Sequence, residues 1–351
     1  MRITELRNLR DVALDLHPGL NVFAGRNAQG KTSVLEALAL LARGRSFRTD
    51  DLRTVVRRGA PGLSARGSAV AEDRITELEV AVDAGGRTLR VDGRDVLPRA
   101  YQGRLEVVVY STDRLRVVRG TMRDRRQYVD RQGAVLWPGY RQALREFERV
   151  LQQRNAALLA GGRDLAAWDE GLLSAGSRLR QRRSAFVARL DAVLRSGFRP
   201  RGESYAITHS PVPPEGGEAA QRAVLELEME ARRADEWRAR RSLVGPHRDQ
   251  ILLTVDGQDA AVSASSGQVR SLLLALALAS LEIYRAESGT AAVALLDDLD
   301  SELDAERAAA LCAEVSRAGQ ALVTTAHPGW ADRVAAQGRL FEVDGGQVRA
   351  A

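Results

Sequence analysis

The eight residues Gly25-Arg-Asn-Ala-Gln-Gly-Lys31-Thr32 constrain this chain more than any other stretch. They read G-x-x-x-x-G-K-T, a pattern whose glycines let the backbone curl until its N–H groups face a single point. The run Gly19-Leu-Asn-Val-Phe-Ala24 before it predicts a buried strand, and Ser33-Val-Leu-Glu-Ala-Leu-Ala-Leu-Leu41 after it predicts a buried helix. Strand, curl and helix N-terminus in that order make a phosphate cradle. Gly25, Arg26, Asn27, Ala28, Gln29 and Gly30 form the loop and Ser33 follows it. Lys31 reaches the β- and γ-phosphates, and the Thr32 hydroxyl holds Mg²⁺. Lys31 is also the only lysine among 52 basic residues; a planar arginine fork cannot replace a compact ammonium in such a cradle. The expected ligand is a nucleoside triphosphate, ATP, with Mg²⁺.

At 351 residues the chain has room for two domains, or for one large head carrying an insertion. A formal charge of +6 and a pI of about 10.0 suit a partner such as nucleic acid, although an arginine-biased composition explains the same numbers. Cys312 stands alone, so no internal disulfide forms, which fits a reducing cytoplasm. Met1-Arg-Ile-Thr-Glu-Leu-Arg lacks the apolar core of a signal peptide, and the longest apolar run, Leu272 to Leu281, falls short of the ~20 residues that cross a bilayer. The expected location is cytoplasmic, with no membrane partner.

Ile3 to Leu6 and Val12 to Leu16 read as a strand hairpin. Alternating segments between Ala69 and Val96, with turn signals at Gly85-Gly86 and Asp92-Gly93, predict an antiparallel subsheet. From about Arg114 to Arg241 the pattern is helical and rich in arginine, broken by a loop at Ser210 to Gly217. Two clusters there, Arg178/180/182/183 and Arg232/233/238/240/241, read either as solvated helix faces or as phosphate contacts. The strand pattern resumes after Gly245, and Ala291 to Leu296 ends in Asp297-Asp298. In a P-loop protein the first acid joins Thr32 on Mg²⁺, and the second orients or deprotonates the attacking water. Lys31 and Asp298 are thus the expected catalytic pair. Because Lys31 and Asp297 lie so far apart, the nucleotide fold must be split by the helical segment.

Ser265-Ser266-Gly267-Gln268, ahead of an apolar helix, resembles the L-S-G-G-Q signature of ABC-type ATPases, though an N-cap serine with a turn glycine reads the same way. In those proteins the signature of one copy closes over the nucleotide of another. Leu299 to Asp304 is similar to their D-loop, and His327 to their switch histidine; a surface histidine is the alternative. No Q-loop glutamine follows Tyr110, and Ser111-Thr-Asp113 stands in its place.

The start Ile-Thr-Glu-Leu-Arg-Asn-Leu-Arg, the phosphate loop, Arg45-Ser-Phe-Arg48-Thr, Gly245-Pro-His-Arg-Asp249, the segment from Ser265 and Leu296 to Asp304 together resemble the RecF family of the SMC/ABC group. The resemblance implies an α/β P-loop ABC-type ATPase head, split, with an antiparallel β subdomain, over residues 1–113 and 242–351. Residues 114–241 would be an inserted, mainly helical arm or lid. It also implies an ATP-dependent homodimer that binds double-stranded or single-stranded DNA or their junction, with weak DNA-stimulated ATPase activity. Partners would be RecO and RecR in recombinational repair. Arg48 is a candidate phosphate or DNA contact, while His247 and Arg248 carry no role that the sequence assigns. The alternative is the energy subunit of a membrane transporter, against which the arginine-rich insertion argues.

Overall fold

A computed structural model describes the chain except residues 72–73, 112–114, 162–164, 200–201, 213, 300–304, 328, 330 and 332–337. Most of the D-loop segment (300–304) and residues 112–113 of the Q-loop substitute therefore lie outside the described residues. Packing divides the chain into two units, Met1–Arg114 with Tyr284–Ala351, and Leu115–Ile283.

In the first unit the short apolar segments become strands: β1 (Arg2–Leu6), β2 (Leu9–Ala13) and β3 (Leu20–Ala24), then helix α1 (Lys31–Arg43). The subsheet follows as β4 (Gly62–Ala71), β5 (Arg74–Asp83), β6 (Gly86–Val91) and β7 (Arg94–Asp95). A short helix, α2 (Pro98–Tyr101), leads to β8 (Val107–Tyr110). One sheet runs β2-β1-β4-β5-β6-β7 with every pair antiparallel, as the turn signals predict.

The second unit begins with α3 (Arg116–Arg119), α4 (Met122–Leu136), α5 (Pro138–Leu159) and α6 (Ala166–Ser196). Strand β9 (Tyr205–Ser210), helix α7 (Gly217–Ala239), strands β10 (Gln250–Val255) and β11 (Gln258–Asp259) and helix α8 (Ser266–Ser288) complete it. The division between units falls inside α8. The rest of the first unit is β12 (Val293–Leu296), α9 (Ala305–Ala318), β13 (Ala321–Thr325), β14 (Gly338–Asp344) and β15 (Gln347–Ala350). These strands join β3 and β8 in a second sheet, β15-β14-β3-β13-β12-β8, parallel except for β15.

Helix α1 touches strands of both sheets of its unit, and eleven of its thirteen residues are buried. A helix apolar on nearly all faces must be covered on nearly all faces, and Leu-Ala-Leu-Leu at its end meets that demand. The α1 core continues into Ile3, Leu6, Phe23, Leu78, Val109, Leu295 and Phe341. Phe23 on β3 stacks on Phe341 of β14 with ring centroids 4.9 Å apart.

Two features of the second unit differ from the sequence reading. Strand β9 interrupts the helical region and pairs antiparallel with β10, from Tyr205↔Val255 to Ser210↔Gln250. That pairing carries residues 242–283 into the second unit, whereas 242 was the expected return to the first. Two arginines of the first cluster, moreover, turn inward. Arg180 and Arg183 are buried, and their guanidinium groups bond the buried Asp249 carboxylate at 2.9 and 3.4 Å. Arg183 also bonds Asp130 at 2.9 and 3.0 Å and the Pro246 carbonyl at 2.6 Å. His209 Nε2 lies 2.9 Å from Asp249 Oδ2, and Arg126 donates to the Asp249 carbonyl at 2.7 Å. Burial works against the Asp249 carboxylate, but the His209 and Arg180/Arg183 contacts outweigh it and hold its pKa below the usual value. Gly-Pro-His-Arg-Asp249 is therefore the knot that ties α4, α6, β9 and β10 together.

His247 belongs to the same knot. Its ring stacks on Phe147 with centroids 5.9 Å apart, and Nε2–H donates to the Ser242 carbonyl at 3.1 Å, leaving the buried Nδ1 without a partner among the described residues. Burial pushes its pKa down to about 4. The unfolded imidazole titrates near 6.5. Between those values the unfolded chain binds the proton and the folded one does not, so this contribution is complete above about pH 6.5 and is lost as pH falls toward 4. We expect up to roughly 3 kcal/mol of acid destabilisation from this residue. Urea midpoints at pH 7 and pH 4.5 check it: His247→Gln should flatten the wild-type decline, and an equally steep decline in the variant would refute it.

Candidate nucleotide site

Strand β3 ends at Ala24 in the middle of the parallel sheet, between β13 and β14, and the chain curls there into the loop 25–32. Ala28 and Gly30 take left-handed backbone, with φ of 65° and 119°. At Gly25 an added Cβ would fall 2.1 Å from the Val343 carbonyl oxygen, so only glycine lets the loop pass β14. Gly30 caps α1 with no side-chain acceptor, and the first turn of α1 holds no acidic residue. A helix start of this kind, with its N–H dipoles facing the loop, is suited to an anion.

Lys31 is buried, with Nζ donating to the carbonyls of Gly25 (2.6 Å) and Arg26 (3.0 Å) and to Asn27 Oδ1 (3.4 Å). Its ammonium is thereby held over the loop. The Thr32 hydroxyl donates to Asp297 Oδ1 at 3.0 Å across 265 residues of sequence. Asp297 directly follows β12, and Ser111, directly after β8, donates to its other oxygen at 3.5 Å. Asp298 follows in left-handed backbone, φ 59°, a conformation that costs a side-chain-bearing residue about 1–2 kcal/mol. Lys31, Thr32, Asp297, Asp298 and Arg48 all line one cavity of about 390 Å³ at the carboxyl ends of the strands. A hydroxyl beside a carboxylate, open to phosphate oxygens and water, is a donor set that Mg²⁺ accepts.

Side chains that the sequence reading did not single out hold the loop in place. Asn8, in the β1–β2 turn, donates to the Gln29 carbonyl at 2.8 Å and accepts from the Ser33 hydroxyl at 3.1 Å. Gly346 N–H donates to the same Gln29 carbonyl at 3.0 Å, and Gly345 N–H to Gln29 Oε1 at 2.6 Å. Glu36, fully buried on α1, accepts both Arg7 bonds, at 2.9 and 3.0 Å, and lies 3.9 Å from Arg48. The sequence signalled Arg7 and Asn8 through the resemblance of the N-terminal segment and Gly345-Gly346 as a hairpin turn, but not their contacts with Glu36 and the loop.

The signature segment belongs to the second unit. Ser265 N–H donates to Gln268 Oε1 at 2.9 Å and Gln268 N–H to Ser265 Oγ at 3.3 Å, so these two residues close a capping box on α8. Ser266 is exposed beside them, and Gly267 is half-buried. His327, past the end of β13, is exposed; its N–H donates to Thr325 Oγ1 at 3.0 Å.

Residues 1–348 match the family model described as the RecF/RecN/SMC N terminal domain. A DNA replication and repair protein RecF of Synechococcus sp. (strain JA-3-3Ab) is 35% identical over 370 residues, spanning 99% of this chain and 96% of that protein. This chain belongs to the RecF family. The solved structure of the recombination mediator protein RecF-ATP in the RecFOR pathway superposes with a TM-score of 0.89 at 26% identity, over 100% of this chain and 98% of that one. An Smc head bound to the C-winged helix domain of ScpA, at 14% identity and a TM-score of 0.58 over 100% and 95% of the two chains, shares the fold alone. Membership of the RecF family disfavours the transporter alternative. Among the described residues no helix is long and apolar enough to cross a membrane.

Proposed function

We propose that this protein is an ATP-gated, DNA-binding repair factor and a slow ATPase. The observation that carries the reading is the convergence of Lys31, Thr32, Asp297 and Asp298 on one cavity. The loop backbone and Lys31 hold the β- and γ-phosphates of ATP, and Thr32 with Asp297 holds Mg²⁺. Bound Mg²⁺ neutralises charge on the phosphate oxygens. Asp298 orients or deprotonates the attacking water; its carboxylate is one methylene shorter than a glutamate's, which suits a timer better than a motor.

Ser265–Gln268 of a second copy closes over the nucleotide, so ATP joins two protomers head to head on DNA and hydrolysis parts them. His327 senses the γ-phosphate in that closed state. Duplex DNA, single-stranded DNA or their junction is held through phosphates by the exposed cluster Arg232, Arg233, Arg238, Arg240 and Arg241. The buried Arg180 and Arg183 take no part. RecO and RecR are the partners that the family relationship supports, acting with this protein to place recombinase on gapped DNA. The lone, buried Cys312 suits a cytoplasmic protein.

Light scattering without nucleotide, with ATP, and with ATP plus duplex DNA tests the reading. The mass should double only with ATP, and Lys31→Arg or Ser266→Arg should abolish the doubling. DNA affinity should fall steeply between low and moderate salt. A mass indifferent to ATP removes the dimer switch.

A further inference from the structure

Thr324, the fourth residue of β13, belongs to none of the motifs, yet its hydroxyl stands between the two acids of the site. It is fully buried, donates to Asp297 Oδ1 at 2.7 Å and accepts the Asp298 N–H at 2.8 Å. A hydroxyl carries one proton and two lone pairs, so both bonds form at once. Asp297 Oδ1 is shared with Thr32 at 3.0 Å. When Thr32 turns a lone pair to a metal, the Thr324 bond remains to fix the rotamer of the carboxylate. The other bond pins the amide of Asp298, the residue in left-handed backbone, and so sets where its carboxylate starts. One residue after Thr324 β13 ends, and His327 follows two residues beyond that end.

We infer that Thr324 is a positioning residue that locks the metal-binding acid and the water-orienting acid to one another through a single hydroxyl. The inference rests on the proposed ATP hydrolysis. Through it, any movement of β13 is delivered to both acids together.

The test compares Thr324→Val, which keeps the shape and deletes the hydroxyl, with Thr324→Ser, which keeps the hydroxyl. Two quantities are read: binding of a fluorescent ATP analogue as Mg²⁺ is titrated, and kcat and KM for ATP hydrolysis. For Thr324→Val the Mg²⁺ requirement for binding should rise, and kcat should fall, by about 10- to 100-fold, with KM changed much less. Thr324→Ser should stay near wild type in both. Wild-type values in Thr324→Val overturn the inference, and so does a Thr324→Ser variant as impaired as Thr324→Val, which would make the role one of packing. Should Thr324→Val fail to fold, Thr324→Ala against Thr324→Ser makes the same comparison. A wild-type protein that binds no analogue overturns the functional reading and this inference with it. A wild type that hydrolyses ATP beside an unaffected Thr324→Val overturns the positioning role alone.

Discussion

Asp249→Ala is expected to destabilise the second unit by about 3–5 kcal/mol, because it removes the shared counter-charge of a buried cluster. Arg180 would be left with Glu228 at 3.2 Å, Arg183 with Asp130 and the Pro246 carbonyl, and His209 would lose the acceptor now 2.9 Å from Nε2. The penalty comes from guanidinium groups that can neither reach water nor release their proton. Differential scanning calorimetry should show Tm lowered by roughly 10 °C. Asp249→Asn, which keeps an acceptor but loses the charge, should fall between the two. A melt within a degree or two of wild type would mean that the knot around Gly245–Asp249 carries little of the stability of this unit.

Lys31→Ala is expected to raise the dissociation constant for ATP about 100-fold or more. Hydrogen bonds to charged groups contribute about 1.5–3 kcal/mol each, and the ammonium is placed to make two of them to phosphate oxygens. The acceptors around Nζ include two loop carbonyls and Asn27 Oδ1, so the same truncation also frees the loop from one of its own ties. Fluorescence polarisation of a labelled ATP analogue measures the loss, with a urea melt as control, since unfolding should move far less than binding. Affinity within threefold of wild type would take Lys31 out of the phosphate site.

The elements around the nucleotide were legible because each is written locally. A five-residue apolar strand, a glycine curl and an apolar helix need no distant partner to be recognised, and β12 running into Asp297-Asp298 is as compact a signal. The subsheet announced itself by alternation and by its glycine turns. What stayed hidden depends on contacts between residues far apart. Arginines at 180 and 183 look like a basic face until α6 packs and finds Asp249 and Asp130, 69 and 53 residues away. Strand β9, Tyr-Ala-Ile-Thr-His-Ser, is short, and only its pairing with β10 distinguishes it from the loop beside it. The same pairing moved the limit of the second unit, since a continuous helix such as α8 gives no break in sequence where one unit ends. Thr324 was invisible for a similar reason: a threonine in a buried strand reads as β-propensity until two acids are found on its hydroxyl.

The placing of β3 has a consequence for a growing polypeptide. Asn21 of β3 donates to the Ala321 carbonyl of β13, 300 residues later, and the P-loop is steadied by the turn at Gly345-Gly346. At typical translation speeds of 5–20 residues per second, the phosphate loop leaves the ribosome roughly 15–60 seconds before the strands that will flank it. Throughout that interval the nascent chain holds its nucleotide motif without its neighbouring strands, its acids or its C-terminal clasp. A half-made protomer therefore lacks the strands, the acids and the C-terminal clasp that complete its candidate nucleotide cavity.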